Sequence, residues 1–286
     1  MKRLNLKIQL LLSLVLLVQA GCSIKKTTVV PQSERPLPAR NATRPELLQA
    51  LQEKSKQLET LKATVGIEFS RGGAKTGVLE EYRETKGYVF IERPSHIRVQ
   101  VQAPVVLTTI AIMVSDGQQY RLSIPVKNQF AIEDVNAPIS PNSSLNNLRP
   151  QIFLDGLFVD ITPYENKQSL FEEAVVGTHS YYVFSFFDGS DSEPQLLEKL
   201  WIDRTDMEVS RKQVFGKDGR LETDVDYQNY VGDVGQRYPK VIVIHRPIED
   251  FTVKLTFQQT TMNEKLDAKI FDLPRPEGSH LLQVRK

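Results

Sequence analysis

The chain is poor in the residues that build disulfides, metal sites and redox centres. Cysteine occurs once in 286 residues, at Cys22, so no disulfide can form within the chain. A single cysteine also excludes the zinc sites that are built from pairs of cysteines. The histidines are scattered, and none has a second histidine or a carboxylate at metal-ligand spacing. The sequence therefore predicts neither a metal site nor a cofactor. The histidines are His96, His179, His245 and His280.

An excess of charge of one sign is also missing. The chain has 36 lysines and arginines against 35 aspartates and glutamates, which gives a formal net charge of +1. Proteins that bind nucleic acid carry a strong basic excess or a concentrated basic patch. The longest basic runs, such as Lys25-Lys26, are too short to form such a patch. We therefore expect no nucleic acid as a partner.

The sequence lacks the common catalytic motifs. No serine lies in a Gly-x-Ser-x-Gly turn, and no glycine-rich loop is suited to hold phosphates. The acidic loop at 188–193 does not have the ligand spacing of a calcium loop. Glu222, Asp224 and Asp226 alternate with apolar residues, which is typical of the solvent-facing side of a half-buried strand. A glycosidase would need two acids facing each other across a cleft. We therefore predict that the protein is not an enzyme.

The first residues have the pattern of an export signal. Lys2, Arg3 and Lys7 precede the apolar run Leu10–Val18, which is followed by the small residues Ala20-Gly21. The alternative is a membrane-spanning helix that is not cleaved, but the apolar run is about half the roughly 20 residues that a bilayer requires. We predict a signal peptide at residues 1–21.

Small residues directly before Cys22 resemble a bacterial lipobox, in which the cysteine becomes the acylated N-terminus. Gln19 stands at the third position before the cysteine, where leucine is usual, so the match is incomplete. Lipidation of Cys22 would attach the protein to a membrane. Residues 22–42 contain several prolines and few large apolar residues, so they are expected to form the lipidated cysteine and a flexible tether.

A helix is predicted after the tether. Thr43 and Glu46 have the spacing of a capping box, and Pro45 fits the first helical turn. Leucines recur at helical spacing on one side, so this face should pack against an apolar surface. These leucines are Leu47, Leu48, Leu51, Leu58 and Leu61.

From residue 63 onward the apolar residues recur at every second position, with turn residues at intervals of about ten to twelve residues. This pattern is typical of an all-β sandwich or barrel, and we count roughly eleven strands. One interruption, with Leu145, Leu148, Ile152 and Phe153 at helical spacing, predicts a short helix ending at Asp155-Gly156. We expect Pro150 to kink or restart this helix. The domain should span 43–274, and 275–286 should leave it as a C-terminal tail.

One feature of the sequence suggests an enclosed apolar cavity, and another suggests an apolar loop that could be exposed. A barrel of about eleven strands has room for a cavity, with both helices covering its mouth. At a predicted turn, Pro104 is followed by Val105, Val106 and Leu107. These residues either begin a buried strand that runs to Val114 or form an exposed apolar loop.

Three segments resemble the bacterial lipoprotein carriers and receptors of the LolA and LolB type. They are residues 98–114, residues 145–157, and residues 226–239 with the strands that follow. The resemblance covers most of 63–263 and is closer to the LolB receptor, itself a lipoprotein of the outer membrane.

This resemblance implies a mainly β fold, an open and strongly curved antiparallel β-barrel with a helical lid, and a function in lipoprotein localisation or insertion. The apolar cavity would hold acyl chains or lipoproteins, which a periplasmic carrier could deliver. Val105, with Val106 beside it, would occupy the loop that faces the membrane, and Leu145, Leu148, Ile152 and Phe153 the lid. Ser23, not aspartate, follows Cys22, which implies lipid anchoring at the periplasmic face of the outer membrane.

The residues leave a second hypothesis open. The barrel could be filled by its own side chains and act as an envelope protein for interaction, assembly or sensing, without catalysis. The volume of the interior cavity separates the two hypotheses, because an interior packed to normal core density admits no acyl chain.

Overall fold

A curved antiparallel sheet contains most of the chain in the computed structural model, which describes residues 35–73, 77–137, 149–189, 193–233 and 237–282. The strand order is β14-β6-β5-β4-β3-β2-β1-β13-β12-β11-β10-β9-β8-β7, and the ladder between β14 and β6 is parallel. The strands are β1 (Thr60–Gly72), β2 (Leu79–Glu92), β3 (His96–Gln102), β4 (Thr109–Ser115), β5 (Gln119–Ile124), β6 (Gln129–Asp134), β7 (Gln168–Val176), β8 (His179–Asp188), β9 (Gln195–Asp203), β10 (Val209–Phe215), β11 (Leu221–Val231), β12 (Tyr238–Arg246), β13 (Phe251–Met262) and β14 (His280–Leu281).

The sheet confirms the predicted mainly β, open and curved fold, but the described residues contain 14 strands and not about eleven. The strand β7 was missed because Glu172 and Glu173 break its alternation. This strand lies at an edge of the sheet and exposes both of these carboxylates, so its sequence is less constrained by burial. The two-residue strand β14 is too short to leave a periodic pattern.

The first helix, α1 (Arg44–Gln57), confirms the predicted capping box. The side chain of Glu46 accepts hydrogen bonds from the backbone N–H and the hydroxyl of Thr43, at 2.7 and 2.8 Å. Leu47 and Leu51 are buried, as expected for the apolar face. Leu58 and Leu61 were wrongly assigned to the helix, which ends at Gln57, and Leu61 belongs to β1.

The second helix, α2 (Pro150–Leu157), begins at Pro150, so the proline starts the helix and does not kink it. It ends at Leu157 and not at Asp155-Gly156. Leu145 and Leu148 lie outside the described residues. Gly156 allows the helix to approach β12 closely, because a Cβ atom there would lie 2.3 Å from Cδ1 of Ile244.

The main core lies between one face of the sheet and the two helices. Side chains of α1 and α2 belong to the same apolar cluster as the strand residues Val65, Val99 and Leu200. The sequence predicted helices that cover the mouth of a barrel. In the structure their apolar side chains also fill part of the interior. The helix residues in this cluster are Leu47, Leu51, Ile152, Phe153 and Leu157.

The C-terminal segment does not leave the domain at 275. Leu273 and Phe271 pack against Val114 and Phe130 in a second, small apolar cluster. The neighbours of these two strand residues, Met113 and Ala131, belong to the main core, so the second cluster lies on the opposite face of the sheet. Further along, β14 pairs with β6, and Leu282 N–H donates to the carbonyl of Phe130 at 2.7 Å. Pro274 and Pro276 belong to a segment without regular secondary structure that lies on the domain.

The last residues of the predicted tether also lie on the domain. The backbone N–H of Leu37 donates to the carbonyl of Thr178 at 2.8 Å, and that of Arg40 to the carbonyl of Arg204 at 2.8 Å. The turns β7–β8 and β9–β10 therefore hold the chain before α1 in place. The domain begins near residue 36 and not at 43.

Candidate functional site

A cavity of about 500 Å³ opens where the end of α1, the chain after α2 and the ends of β11, β12 and β13 meet. This volume falls within the range of about 300–1,000 Å³ that is usual for ligand sites. The lining residues are Lys54, Ser55, Gln57, Leu58, Arg93, Leu157, Phe158, Val159, Tyr227, Tyr230, Arg237, Tyr238, Pro239, Met262 and Asn263.

Three tyrosines form one wall of the cavity, and their hydroxyl groups differ in bonding. Tyr238 donates to the carbonyl of Leu157 at 3.1 Å, and Tyr230 donates to the carbonyl of Val209 at 2.8 Å. The hydroxyl of Tyr227 is buried and has no hydrogen-bond partner in the described structure. Burial raises the pKa of all three phenols, so they remain neutral and able to donate.

The charged side chains that line the cavity are all cations. Lys54 forms an ion pair with Glu208 and lies 4.6 Å from the centre of the Tyr230 ring. Arg237 shares the same carboxylate at 3.5 Å. Arg93 pairs with Asp160, and its guanidinium carbon is 5.6 Å from the centre of the Phe158 ring. Neither carboxylate is among the lining residues.

The interior next to the cavity is filled and contains a buried ion pair. Glu198 and Lys212 are 2% and 5% exposed, and their charged groups are 3.5 Å apart. Glu198 accepts a hydrogen bond from the hydroxyl of Tyr164 at 3.0 Å, and Lys212 donates to the carbonyl of Phe158 at 3.2 Å. Burial raises the pKa of Glu198 to about 6, although Lys212 and Tyr164 act in the opposite direction. We call these four residues the buried ion-pair cluster.

The predicted loop at Val105 and Val106 is exposed. Val105 is 89% exposed, Val106 70% and Leu107 52%. They form the turn between β3 and β4, so the alternative of a buried strand from Val105 to Val114 is wrong. The strand starts only at Thr109.

The geometry of this turn does not itself require apolar residues. Ala103 N–H donates to Thr108 O, and Leu107 N–H donates to Ala103 O. The turn between β9 and β10 has the same two hydrogen bonds, with Asp203, Met207 and Glu208 at the matching positions. Polar residues occupy most of that second turn, so the apolar character of residues 105–107 has another cause.

Other exposed apolar residues lie at the same edge of the sheet. Consecutive antiparallel strands place the turns β1–β2, β3–β4 and β5–β6 at one edge. Each of these turns has large apolar side chains that are more than half exposed. We call them the apolar turns, and the residues are Val78, Leu79, Val105, Val106, Leu107 and Val126.

The cavity lies at the opposite edge. Tyr230 and Met262 are at the ends of β11 and β13, and Arg93 is in the turn β2–β3. A strand the length of β1 spans roughly 40 Å at about 3.3 Å per residue. The structure therefore does not bring Val105 and Val106 to the cavity. Ile152 and Phe153 are buried in the core beside it.

Sequence reasoning missed the residues of the cavity. Tyr227 alternates with the acidic residues of β11 and is buried, but no pattern indicated that this residue lines a cavity. Lys54 and Arg237 are far apart in the sequence and meet through Glu208. Tyr230 and Tyr238, one on each side of the β11–β12 turn, were the sequence feature that could have indicated a site there.

The remaining predicted features have ordinary structural roles. Asp224 accepts hydrogen bonds from Arg211, at 2.7 and 2.5 Å, on the solvent-facing side of β11. Within the described ranges, no group of three or more histidine, cysteine or acidic side chains could hold a metal ion. No helix in those ranges is both long and apolar enough to cross a membrane. Cys22 and the predicted signal peptide lie outside the described residues.

Comparison with solved structures identifies the fold. The sequence matches no protein-family model and no curated protein. A LolA superfamily protein from Nitrosomonas europaea matches with a TM-score of 0.51 and 14% identity, over 82% of this chain and 99% of that chain. A DUF1329 family protein from Desulfovibrio piger matches with a TM-score of 0.53 and 12% identity, over 79% and 97%. The chain therefore has a LolA-like fold, and these matches do not distinguish the LolB type.

Proposed function

We propose that this protein is a lipid-anchored receptor of the bacterial envelope that binds acyl chains or lipoproteins without catalysis. The observation that carries the proposal is the cavity between the helices and the curved sheet, which has apolar and aromatic walls and a volume of about 500 Å³. Its place in a LolA-like fold supports this function. An acyl chain gains about 0.8 kcal/mol for each CH₂ group that leaves water.

The proposed location is the periplasmic face of the outer membrane. Lipidated Cys22 would be the anchor, and the apolar turns would contact the bilayer, with Val105 and Val106 as the most exposed contacts. The cavity would then open at the edge that faces away from the membrane, where a periplasmic carrier could deliver cargo. This arrangement assigns membrane contact and cargo binding to separate edges of one sheet.

The proposal is tested by native mass spectrometry of the protein purified from its bacterial host. We expect lipid or acylated peptide to remain bound, and Leu157→Trp to reduce the bound fraction because it fills the cavity. Leu79→Trp, at the opposite edge, is the matched control and should retain the cargo. Native protein that carries no cargo and takes up no added monoacylglycerol would contradict the proposal.

A second function is favoured by the filled part of the interior. The helices and the buried ion-pair cluster occupy much of the space that an empty barrel would offer to cargo. If the remaining space takes up no cargo, the protein would act by interaction, assembly or sensing in the envelope. Specific capture of an envelope protein that is unaffected by Leu157→Trp, together with the absence of lipid uptake, would favour this second function.

A further inference from the structure

The charges and the unpaired hydroxyl in the cavity define the chemistry of its ligand more closely. We infer that the cavity selects an acyl ester with an anionic head group, and that Lys54, Arg237 and Tyr227 provide this selection. This inference rests on the proposed function, because it assumes that an acyl chain occupies the cavity. It goes further by naming the polar part of the ligand and the residues that contact it.

The cations point to an anionic head group. Lys54, Arg93 and Arg237 all line the cavity, whereas the paired carboxylates Glu208 and Asp160 do not. Lys54 and Arg237 also pair with one and the same carboxylate, that of Glu208. Their side chains are 34% and 29% exposed, which places them at the mouth, in reach of a solvated head group. A cationic head group would be repelled there.

Tyr227 points to an oxygen within the acyl part of the ligand. Its side chain is 5% exposed, and its hydroxyl group has no partner in the described structure. A buried hydroxyl without a hydrogen bond is costly, so a pure hydrocarbon chain would leave this cost in place. The carbonyl oxygen of an acyl ester would accept the missing hydrogen bond. The apolar side chains Leu157 and Met262 would contact the hydrocarbon chain.

Calorimetric titration of the purified protein tests the charge selection with two probes. Monolauroylglycerol and monolauroylglycerol phosphate have the same acyl ester and differ in the phosphate. We expect the phosphate to bind at least about tenfold more tightly, since charge-assisted hydrogen bonds are the stronger kind. Lys54→Gln combined with Arg237→Gln should remove this preference and leave the affinity for the neutral ester within twofold.

Two variants control for charge and folding. Lys56→Gln removes a lysine from the exposed side of the same helix and should keep the preference. Lys54→Arg retains the cation and should also keep it. Addition of inorganic phosphate should not displace the anionic ester, because the acyl chain supplies much of the affinity. Displacement by inorganic phosphate alone would mean that the cations form a free-phosphate site and would overturn the inference.

Tyr227→Phe tests the hydroxyl separately. This change removes a group that has no partner in the unliganded protein, so folding stability should not fall. The affinity for both esters should decrease about threefold to tenfold, the usual effect of one neutral hydrogen bond. Tyr82→Phe is the control, because Tyr82 is an exposed tyrosine of β2 that does not line the cavity, and it should leave the affinity for both esters unchanged. Unchanged affinity in Tyr227→Phe would exclude the proposed ester contact.

The outcomes separate this inference from the proposed function. Equal affinity for the neutral and the phosphorylated ester would refute the head-group selection while acyl binding stands. Failure of both esters to bind would refute the proposed function itself.

Discussion

Glu198 illustrates how a single buried carboxyl group can set a pH dependence. Its pKa is raised to about 6, first by burial and against the attraction of Lys212. The folded state therefore holds a proton on this group at a pH where the unfolded chain, with an ordinary pKa near 4.5, has lost it. The free energy of unfolding that this protonated carboxyl group contributes is fully present below about pH 4.5 and is lost as the pH rises through 6.

We predict that the free energy of unfolding falls by about 2 kcal/mol between roughly pH 4.5 and 6 because of Glu198. Glu198→Gln should remove this part of the slope, since glutamine does not titrate. Part of the pH dependence should remain, because burial also raises the pKa of Asp155. Urea unfolding across this pH range measures the effect. Glu172→Gln, on exposed β7, is the control, and an identical slope in Glu198→Gln and the native protein would contradict the assignment.

Val105 is a second residue whose environment makes a clear prediction. The side chain is almost fully exposed, so Val105→Glu should change the folding stability by less than about 0.5 kcal/mol. A carboxylate at the most exposed apolar turn should nevertheless weaken binding to phospholipid vesicles and slow the transfer of cargo to them. Vesicle flotation measures the binding. Val175→Glu, an exposed valine of β7 at the opposite edge, should bind vesicles as the native protein does, and equal binding by Val105→Glu would exclude this turn as the contact.

At the scale of elements, α2 packs closely against the sheet because residue 156 is a glycine and has no side chain. Ile244 is fully buried, and a Cβ atom at position 156 would lie 2.3 Å from its Cδ1 atom and 2.6 Å from its Cγ1 atom. The same contact brings Leu157, the next residue of the helix, to the wall of the cavity.

Gly156→Ala should therefore destabilise the protein by about 1–3 kcal/mol, the usual cost of overpacking a core. Alanine favours helix formation over glycine by up to about 1 kcal/mol, but this gain is smaller than the clash. A double-mutant cycle with Ile244→Ala, followed by thermal or urea unfolding, isolates the contact. We expect Gly156→Ala to cost less in the Ile244→Ala background. Equal cost in both backgrounds would show that Ile244 is not the obstacle.

The elements also explain which parts of the fold could be predicted from the sequence. The helix α1 was predictable because Thr43 and Glu46 act locally and the leucines recur at helical spacing. Strands with one buried face were predictable because their apolar residues recur at every second position. The edge strand β7 was not, because Glu172 and Glu173 break its alternation. The packed segment around Leu273 was not, because its partners Val114 and Phe130 are distant in the sequence. A cavity was expected, but its lining residues come from six separate segments of the chain, and no local pattern connects them.

At the scale of the whole molecule, the tether enters the domain at the edge that contains the cavity, whereas the apolar turns lie at the other edge. Leu37 is bonded at the β7–β8 turn, on the cavity side. The chain between Cys22 and Leu37 can extend to about 50 Å, which exceeds the length of roughly 40 Å estimated for the longer strands. A lipid anchor at Cys22 would therefore still allow the apolar turns to reach the same membrane.

Deletion of residues 26–33 should separate anchoring from function. The shortened tether reaches only about 25 Å, so the apolar turns could no longer contact the membrane that holds the anchor. We expect the deleted protein to remain in the membrane fraction and to lose cargo transfer. A glycine-serine segment of equal length is the control and should restore transfer. Cys22→Ala should release the protein from membranes, and transfer that persists after the deletion would contradict this orientation.

The pairing of β1 with β13 has a consequence for how the chain folds. These strands lie side by side in the sheet, yet nearly all of its other strands come between them in the sequence. During synthesis β1 can form its hairpin with β2 early, but its other edge stays open until β13 has been made. Such distant pairing slows folding and exposes an aggregation-prone edge meanwhile. A chain that stops before Phe251 would keep this edge open permanently, so a chaperone that binds extended strands has its natural target at β1.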